Sequence, residues 1–83
     1  MTRNEIVETF ELEEVIFLDN FDEAIIGVCT TFGKPPCIAY SKNRIIDILQ
    51  RDGMDFEEAI EHFDYNIIGG YFGETNPVFV EGI

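Results

Sequence analysis

The sequence predicts an α+β fold: a small two-layer sandwich in the order β-β-β-α-α-β, with a mainly antiparallel sheet and two helices on one face. β-branched and aromatic runs fill the first half of the chain. Two capped amphipathic segments follow, and one face of the sheet is the only surface on which they can bury their apolar sides. The 83 residues indicate a single domain, 1–83, in which residues 1–10 form a frayed arm or a short helix.

Three strands are predicted in the first half of the chain. The segment Glu13–Asp19 (EEVIFLD) is the first, and Ala24–Phe32 (AIIGVCTTF) is the second. Gly27 within the second strand indicates a bulge or a close packing contact. The chain breaks at Gly33–Pro36 and resumes as a third strand at Cys37–Tyr40, which predicts a hairpin.

The two cysteines lie in this hairpin. A turn at Gly33–Pro36 would pair Cys37 near Phe32 and Cys29 near Tyr40. The two sulfur atoms would then be too far apart for a disulfide. We therefore expect two separate, reduced thiols that act as small core residues.

Capping residues delimit the two helices. Ser41 caps a helix, KNRIIDILQRD, that ends at Gly53. Asp55 caps the second, and Glu58 three residues later completes a capping-box variant.

The end of the second helix is ambiguous in the sequence. Phe56, Ile60 and Phe63 are expected to face the core, and the helical spacing extends to about Tyr71. An alternative interpretation makes residues 66–72 a strand. A final short strand is predicted at Asn76–Gly82.

The chain is strongly acidic, with 17 Asp and Glu against five Lys and Arg and a formal net charge of −12. This charge argues against direct nucleic-acid binding, which needs bases to neutralise phosphates, and against binding an anionic membrane. Any electrostatically steered partner is expected to be basic.

The N-terminus lacks the apolar run of a signal peptide, and no stretch approaches the ~20 apolar residues of a membrane helix. We expect a cytoplasmic protein.

Most acidic residues of the segment DGMDFEEAIEHFDYN serve helix formation, but three share a face. These residues, Glu57, Glu61 and Asp64, form a stripe, and the repulsion between their carboxylates costs a few tenths of a kcal/mol per pair.

Glu58 and His62 are four residues apart and resemble half of an HExxH site, but the sequence offers no third or fourth ligand beside them. We predict no metal, no cofactor and no catalytic residue.

The segment from Tyr40 to Val80 resembles a group of small acidic proteins of unknown function encoded in bacteriophage and environmental phage genomes. The shared pattern is a strand ending in Tyr, an Ile/Leu helix, DGM, EEA, an aromatic–Asn pair, then Gly, Tyr and Gly-Glu before Pro. The matches are Tyr40, Asp52–Gly53–Met54, Glu57–Glu58–Ala59, Tyr65–Asn66, Gly69, Tyr71, Gly73–Glu74 and Pro77. The upstream segment LDNFDEAIIGVCTTFGKPPCIAY is also similar, so the likeness spans residues 18–80. It implies a phage origin and the cytoplasm of a bacterial host, and it identifies no catalytic residue.

The sequence is thus typical of a non-enzymatic accessory protein that binds another protein. An acidic mimic of nucleic acid, which inhibits a DNA- or RNA-binding or defence protein, is the alternative; a small enzyme or metal-binding protein ranks third. A homodimer would cover exposed apolar surface. The candidate partner-binding residues are Glu57, Glu61, Asp64, Tyr71 and Phe72.

Overall fold

The computed structural model describes residues 3–10, 15–67 and 76–83 and has an α+β fold. Residues 1–10 contain a short helix, which confirms one of the two expectations for this segment. The elements, in chain order, are α1 (Arg3–Phe10), a 3₁₀ turn (Asp22–Ala24), β1 (Ile25–Cys29), β2 (Cys37–Ser41), α2 (Lys42–Arg51), α3 (Phe56–His62), a π-helical turn (Phe63–Ile67) and β3 (Val78–Val80).

Among the described residues the sheet has three strands, in the order β1-β2-β3. β2 is central and all five of its residues are buried. It pairs antiparallel with β1 but parallel with β3, so the described sheet is mixed and the prediction of a mainly antiparallel sheet is not confirmed. The parallel pairing is possible because α2 and α3 lie between β2 and β3 in the sequence, and this connection is long enough for a crossover. The placement of both helices on one face of the sheet stays a prediction.

The predicted hairpin is confirmed, but its register is different. Cys29 lies directly opposite Cys37, so the connection comprises residues 30–36 instead of four residues. Pro35 and Pro36 have no N–H to donate to a ladder, which delays pairing until Cys37. A turn closed by the Lys34 N–H and the Thr31 carbonyl, at 3.1 Å, lies within the connection. The argument that kept the two sulfur atoms apart is therefore wrong.

The bulge predicted at Gly27 is present. The register of the β1–β2 ladder shifts by one residue between Ile25 and Gly27. A Cβ atom at Gly27 would meet no atom within 4 Å, so the glycine marks the bulge and not a close packing contact.

The first predicted strand is absent from the described part of its range, which begins at Val15. Its backbone groups bond to side chains instead of a neighbouring strand. The Leu18 N–H donates to the Tyr40 hydroxyl at 2.8 Å, and the Leu18 carbonyl accepts from the Arg3 guanidinium at 3.2 Å. Val15, Phe17 and Leu18 still pack against the core, which accounts for the apolar composition of the segment without a strand.

Both predicted ends of α2 are confirmed. The Ser41 hydroxyl accepts the Arg44 N–H at 3.2 Å and caps the first turn. At the other end, Gly53 has a φ of 110°, and the Gly53 and Met54 N–H groups donate to Gln50 and Leu49 carbonyls. This pair of bonds is a Schellman motif, which requires a residue that tolerates positive φ.

Three aromatic rings join the strands to the segment after α3. Tyr40 stacks on Phe79, its register partner in β3, with centroids 6.1 Å apart. Phe79 meets Phe63 edge to face at 5.1 Å. Tyr40 and Phe63 are fully buried. The rest of the buried core cluster surrounds them: Ile6, Ala24, Ile25, Ile38, Ile45, Ile46, Ile48, Leu49, Ala59 and Ile67.

Tyr40→Phe should lower the free energy of unfolding by about 1 to 3 kcal/mol, because it leaves the Leu18 N–H without its acceptor. Urea unfolding measures the change. Tyr65→Phe, at an exposed tyrosine, is the matched control and should unfold like the parent chain. Equal midpoints for the two variants would show that the hydrogen bond contributes nothing.

The same tyrosine should make the fold sensitive to alkali. Burial raises the pKa of Tyr40 above the ordinary value near 10. Its stabilising contribution is therefore fully present below about pH 10, and it is lost as pH rises from there towards the pKa in the folded state. Urea unfolding between pH 9 and 11 should show a steeper loss for the parent chain than for Tyr40→Phe. Identical slopes above pH 10 would contradict this assignment.

Candidate partner-binding site

α3 is fixed at its N-terminus by the residue that the sequence predicts. The Asp55 carboxylate accepts the Glu58 N–H at 2.8 Å, and the Asp55 carbonyl accepts the Ala59 N–H at 2.9 Å. Ala59 and Phe63 are buried against the core. Phe56, which was expected to face the core, is instead 60% exposed because it occupies the first helical position, ahead of the buried face. Ile60 is partly buried and packs against the same core, as expected, whereas Glu57, Glu58 and Glu61 are exposed.

The helix continues as a π-helical turn. Phe63 and Ile67 are buried at its two ends, and Asp64, Tyr65 and Asn66 between them are exposed. Helical structure therefore continues at least to Ile67. The question of a helix or a strand over residues 68–72 lies outside the described residues, as do Tyr71 and Phe72.

The structure places the three stripe residues on this continuous element. Glu57 and Glu61 lie in α3, Asp64 lies in the π-helical turn, and all three are exposed. Within the described residues none of them forms an ion pair. We call Glu57, Glu61 and Asp64 the α3 stripe.

Three of the five Lys and Arg residues form ion pairs with acids outside α3. Arg3 pairs with Asp22, Lys42 with Glu81 and Arg51 with Glu23, each at 2.9 Å. Residues 52–64 contain six acids and no Lys or Arg. The negative charge of this segment is thus uncompensated by the described part of the chain.

An open pocket of about 310 Å³ lies beside the stripe. It brings Glu61 together with Glu58, His62 and Tyr65 on one side of α3, and Met54 and Asn66 complete its lining. Tyr65 is 81% exposed, so a large aromatic ring stands next to three polar or charged groups. A carboxylate pair and an exposed ring form the kind of surface that accepts a Lys or Arg side chain.

His62 and Glu58 share the pocket, as their spacing predicts. The His62 Nδ1 atom lies 3.4 Å from the Asn66 amide nitrogen. In the described part of the chain, no three His, Cys, Asp or Glu side chains come together as metal ligands. Within residues 3–10, 15–67 and 76–83, the pair has no third ligand of the kind that tight zinc binding needs.

A second, smaller pocket of about 240 Å³ carries mixed charge. It is lined by Glu23, Arg44, Asp47, Ile48 and Arg51. The Arg51–Glu23 ion pair lies across it and joins α2 to the 3₁₀ turn. We assign this pocket a structural role.

The sequence did not indicate the exposed aromatic residues of this site. Phe56 fits the apolar helical pattern, and Tyr65 belongs only to the aromatic–Asn pair of the sequence. The signal that could have found Phe56 is its position directly after the N-cap, where a side chain precedes the first buried turn.

No helix among the described residues is long and apolar enough to cross a membrane. A scan against protein-family models finds no match, and searches of curated proteins and of solved structures find none either. The resemblance to phage proteins stays a prediction, and function has to be argued from the geometry.

Asp55→Ala should destabilise the chain by about 0.5 to 2 kcal/mol through loss of the helix cap. Phe63→Ala should cost about 3 to 5 kcal/mol, because it empties a fully buried ring position. Phe56→Ala is the exposed-ring control and should cost the least of the three. Urea unfolding of the three variants tests this ranking, and a larger effect of Phe56→Ala than of Phe63→Ala would contradict the packing of α3.

Proposed function

We propose that this chain is a non-enzymatic binding protein, and that α3 with the π-helical turn is the face it presents to a basic protein partner. One observation carries the proposal: a segment of uncompensated carboxylates is combined with two exposed aromatic side chains, Phe56 and Tyr65, on one helical element. Aromatic residues supply contact area at interfaces, and carboxylates pair with Lys and Arg. The cytoplasmic, phage-type accessory role is part of the same proposal.

Charge would guide the partner to this face. Unpaired carboxylates steer a basic protein during encounter and fix its orientation. The aromatic rings would contribute most of the affinity once they are covered. The pocket that contains Glu58, Glu61 and Tyr65 offers one place for a partner Lys or Arg side chain.

Mimicry of nucleic acid receives less support than protein binding. A mimic needs carboxylates in a band about as long as a groove, and one turn of DNA is about 34 Å long. The seven residues of α3 rise only about 10 Å. Three acids outside this element, Asp22, Glu23 and Glu81, are neutralised by ion pairs with Arg3, Arg51 and Lys42.

The proposed homodimer would use another surface. Two copies of the α3 stripe would repel each other, because like charges would face like charges. The apolar surface near the sheet edge and the segment with Tyr71 and Phe72 is the proposed location of a self-contact.

Reversing Glu57, Glu61 and Asp64 to Lys should abolish the interaction while the fold persists, because all three side chains face water. A tagged chain would first capture its partner from a bacterial lysate at low salt. The affinity of the purified partner for parent and variant chains is then measured by calorimetry. We expect a loss of at least tenfold for the triple variant, as three exposed attractions become repulsions. Parent binding should also weaken towards 1 M salt, where the screening length is about 3 Å.

The matched control changes charge equally at other exposed acids. Glu8, Asp19 and Asp47 suit this purpose, because Arg3 keeps its shorter pairing to Asp22 when Asp19 is replaced. This control should bind within about threefold of the parent chain if steering by overall charge is minor. Tyr65→Ala should also weaken binding. Equal binding by the triple variant, the control and the parent, with an affinity independent of salt, would place the interface elsewhere.

A further inference from the structure

The two cysteines of the chain face each other at the open end of the hairpin. Cys29 and Cys37 are the last register pair of the β1–β2 ladder. Both are free thiols; Cys29 is half-buried and Cys37 is buried. Burial, followed by the Cys29 thiol, raises the pKa of Cys37 above its ordinary value.

Cross-strand geometry brings such a pair within reach of a covalent bond. Directly opposed residues of an antiparallel ladder have Cα atoms about 4.5 or 5.5 Å apart, inside the range of about 4.4–6.8 Å found for disulfides. Their Cβ atoms are about 4.5–5.5 Å apart, at or above the upper end of the range of about 3.5–4.5 Å for a disulfide. A small approach of the strand ends would therefore close the bond.

The position of the pair favours that approach. Residues 30–35, which follow Cys29, are all exposed, and Phe32 at the tip of the loop is completely exposed. The ladder ends at this pair, so one side of it carries no further strand pairing that would resist movement. Cys29 is accessible to a small oxidant, whereas Cys37 is shielded.

We propose that Cys29 and Cys37 form a reversible cross-strand disulfide that closes the hairpin loop. The oxidant is a low-molecular-weight disulfide such as oxidised glutathione. The Cys29 thiolate, after loss of its proton, attacks one sulfur of the oxidant, forms a mixed disulfide and releases one glutathione thiolate. The Cys37 thiolate, also deprotonated, then attacks the Cys29 sulfur and releases the second. Two protein thiols lose two electrons and two protons in total, and one glutathione disulfide becomes two thiols.

Closing the bond would fix the loop that presents Phe32. In the described loop, the Lys34 N–H donates to the Thr31 carbonyl, and the Cys29 sulfur lies 4.0 Å from the Thr31 hydroxyl oxygen. A disulfide between residues 29 and 37 confines the seven residues between them to a short ring, which reduces their conformational freedom. The bond stays reversible, because a glutathione thiolate can reopen it by the same exchange. The device is independent of the α3 surface.

The full chain is equilibrated in buffers of reduced and oxidised glutathione, quenched with an alkylating reagent and analysed by mass spectrometry. The same equilibration in 8 M urea measures how readily the unfolded chain forms the bond. We expect an intramolecular disulfide in the folded chain, two hydrogens lighter and without alkylation. Its equilibrium constant should be at least tenfold larger than in urea, because the fold holds the thiols together.

Two single variants identify the order of attack. Cys37→Ala should collect one glutathione at Cys29, whereas Cys29→Ala should react more slowly because Cys37 is buried. Circular dichroism verifies that each variant is folded. Two alkylated thiols in the folded chain under oxidising buffer, bonding only between chains, or an equilibrium constant no larger than in urea would each overturn the proposal.

Discussion

The Tyr40 side chain holds together parts of the chain that are distant in sequence. Its hydroxyl accepts the Leu18 N–H, and its ring stacks on Phe79 of β3. Phe79 in turn contacts Phe63, at the start of the π-helical turn. The N-terminal segment, the central strand, the last strand and the end of α3 thus meet around one phenol. Because the group is fully buried, the neutral form of the hydroxyl is the one that the fold requires.

The few bases of the chain reinforce this arrangement. Arg3 joins α1 to the 3₁₀ turn, Arg51 joins α2 to the same turn, and Lys42 joins the start of α2 to Glu81 beyond β3. Each pair connects segments at least 19 residues apart. Exposed pairs contribute little individually, so their main effect here is on charge distribution. With three of the five bases committed to structural pairs, none reaches the acids of α3 in the described chain.

Local chemistry made some elements predictable and long-range pairing made others unpredictable. Ser41, Gly53 and Asp55 specify helix ends through bonds to neighbours within three residues, and all three were recognisable from the sequence. The strand predicted at Glu13–Asp19 failed in its described part because Tyr40 and Arg3, far along the chain, satisfy the backbone at Leu18. The parallel pairing of β3 is likewise a non-local choice. The hairpin register depended on loop length, which two prolines extended to seven residues.

In the candidate site, the positions of Glu57, Glu61 and Asp64 were predictable from helical spacing. The exposure of Phe56 and Tyr65 was not, because it depends on how the helix packs.

The π-helical turn explains how one short element can both anchor the core and present a binding face. Five residues in a wider turn allow Phe63 and Ile67 to remain buried while the three residues between them face solvent. Such turns are rare and recur at functional sites. Here the buried Phe63 ring contacts Phe79 edge to face, and the Lys42 ammonium lies 5.2 Å from its centroid. The core contact that fixes Phe63 thereby also fixes the exposed positions of Asp64 and Tyr65, so the proposed binding face inherits its rigidity from the aromatic core.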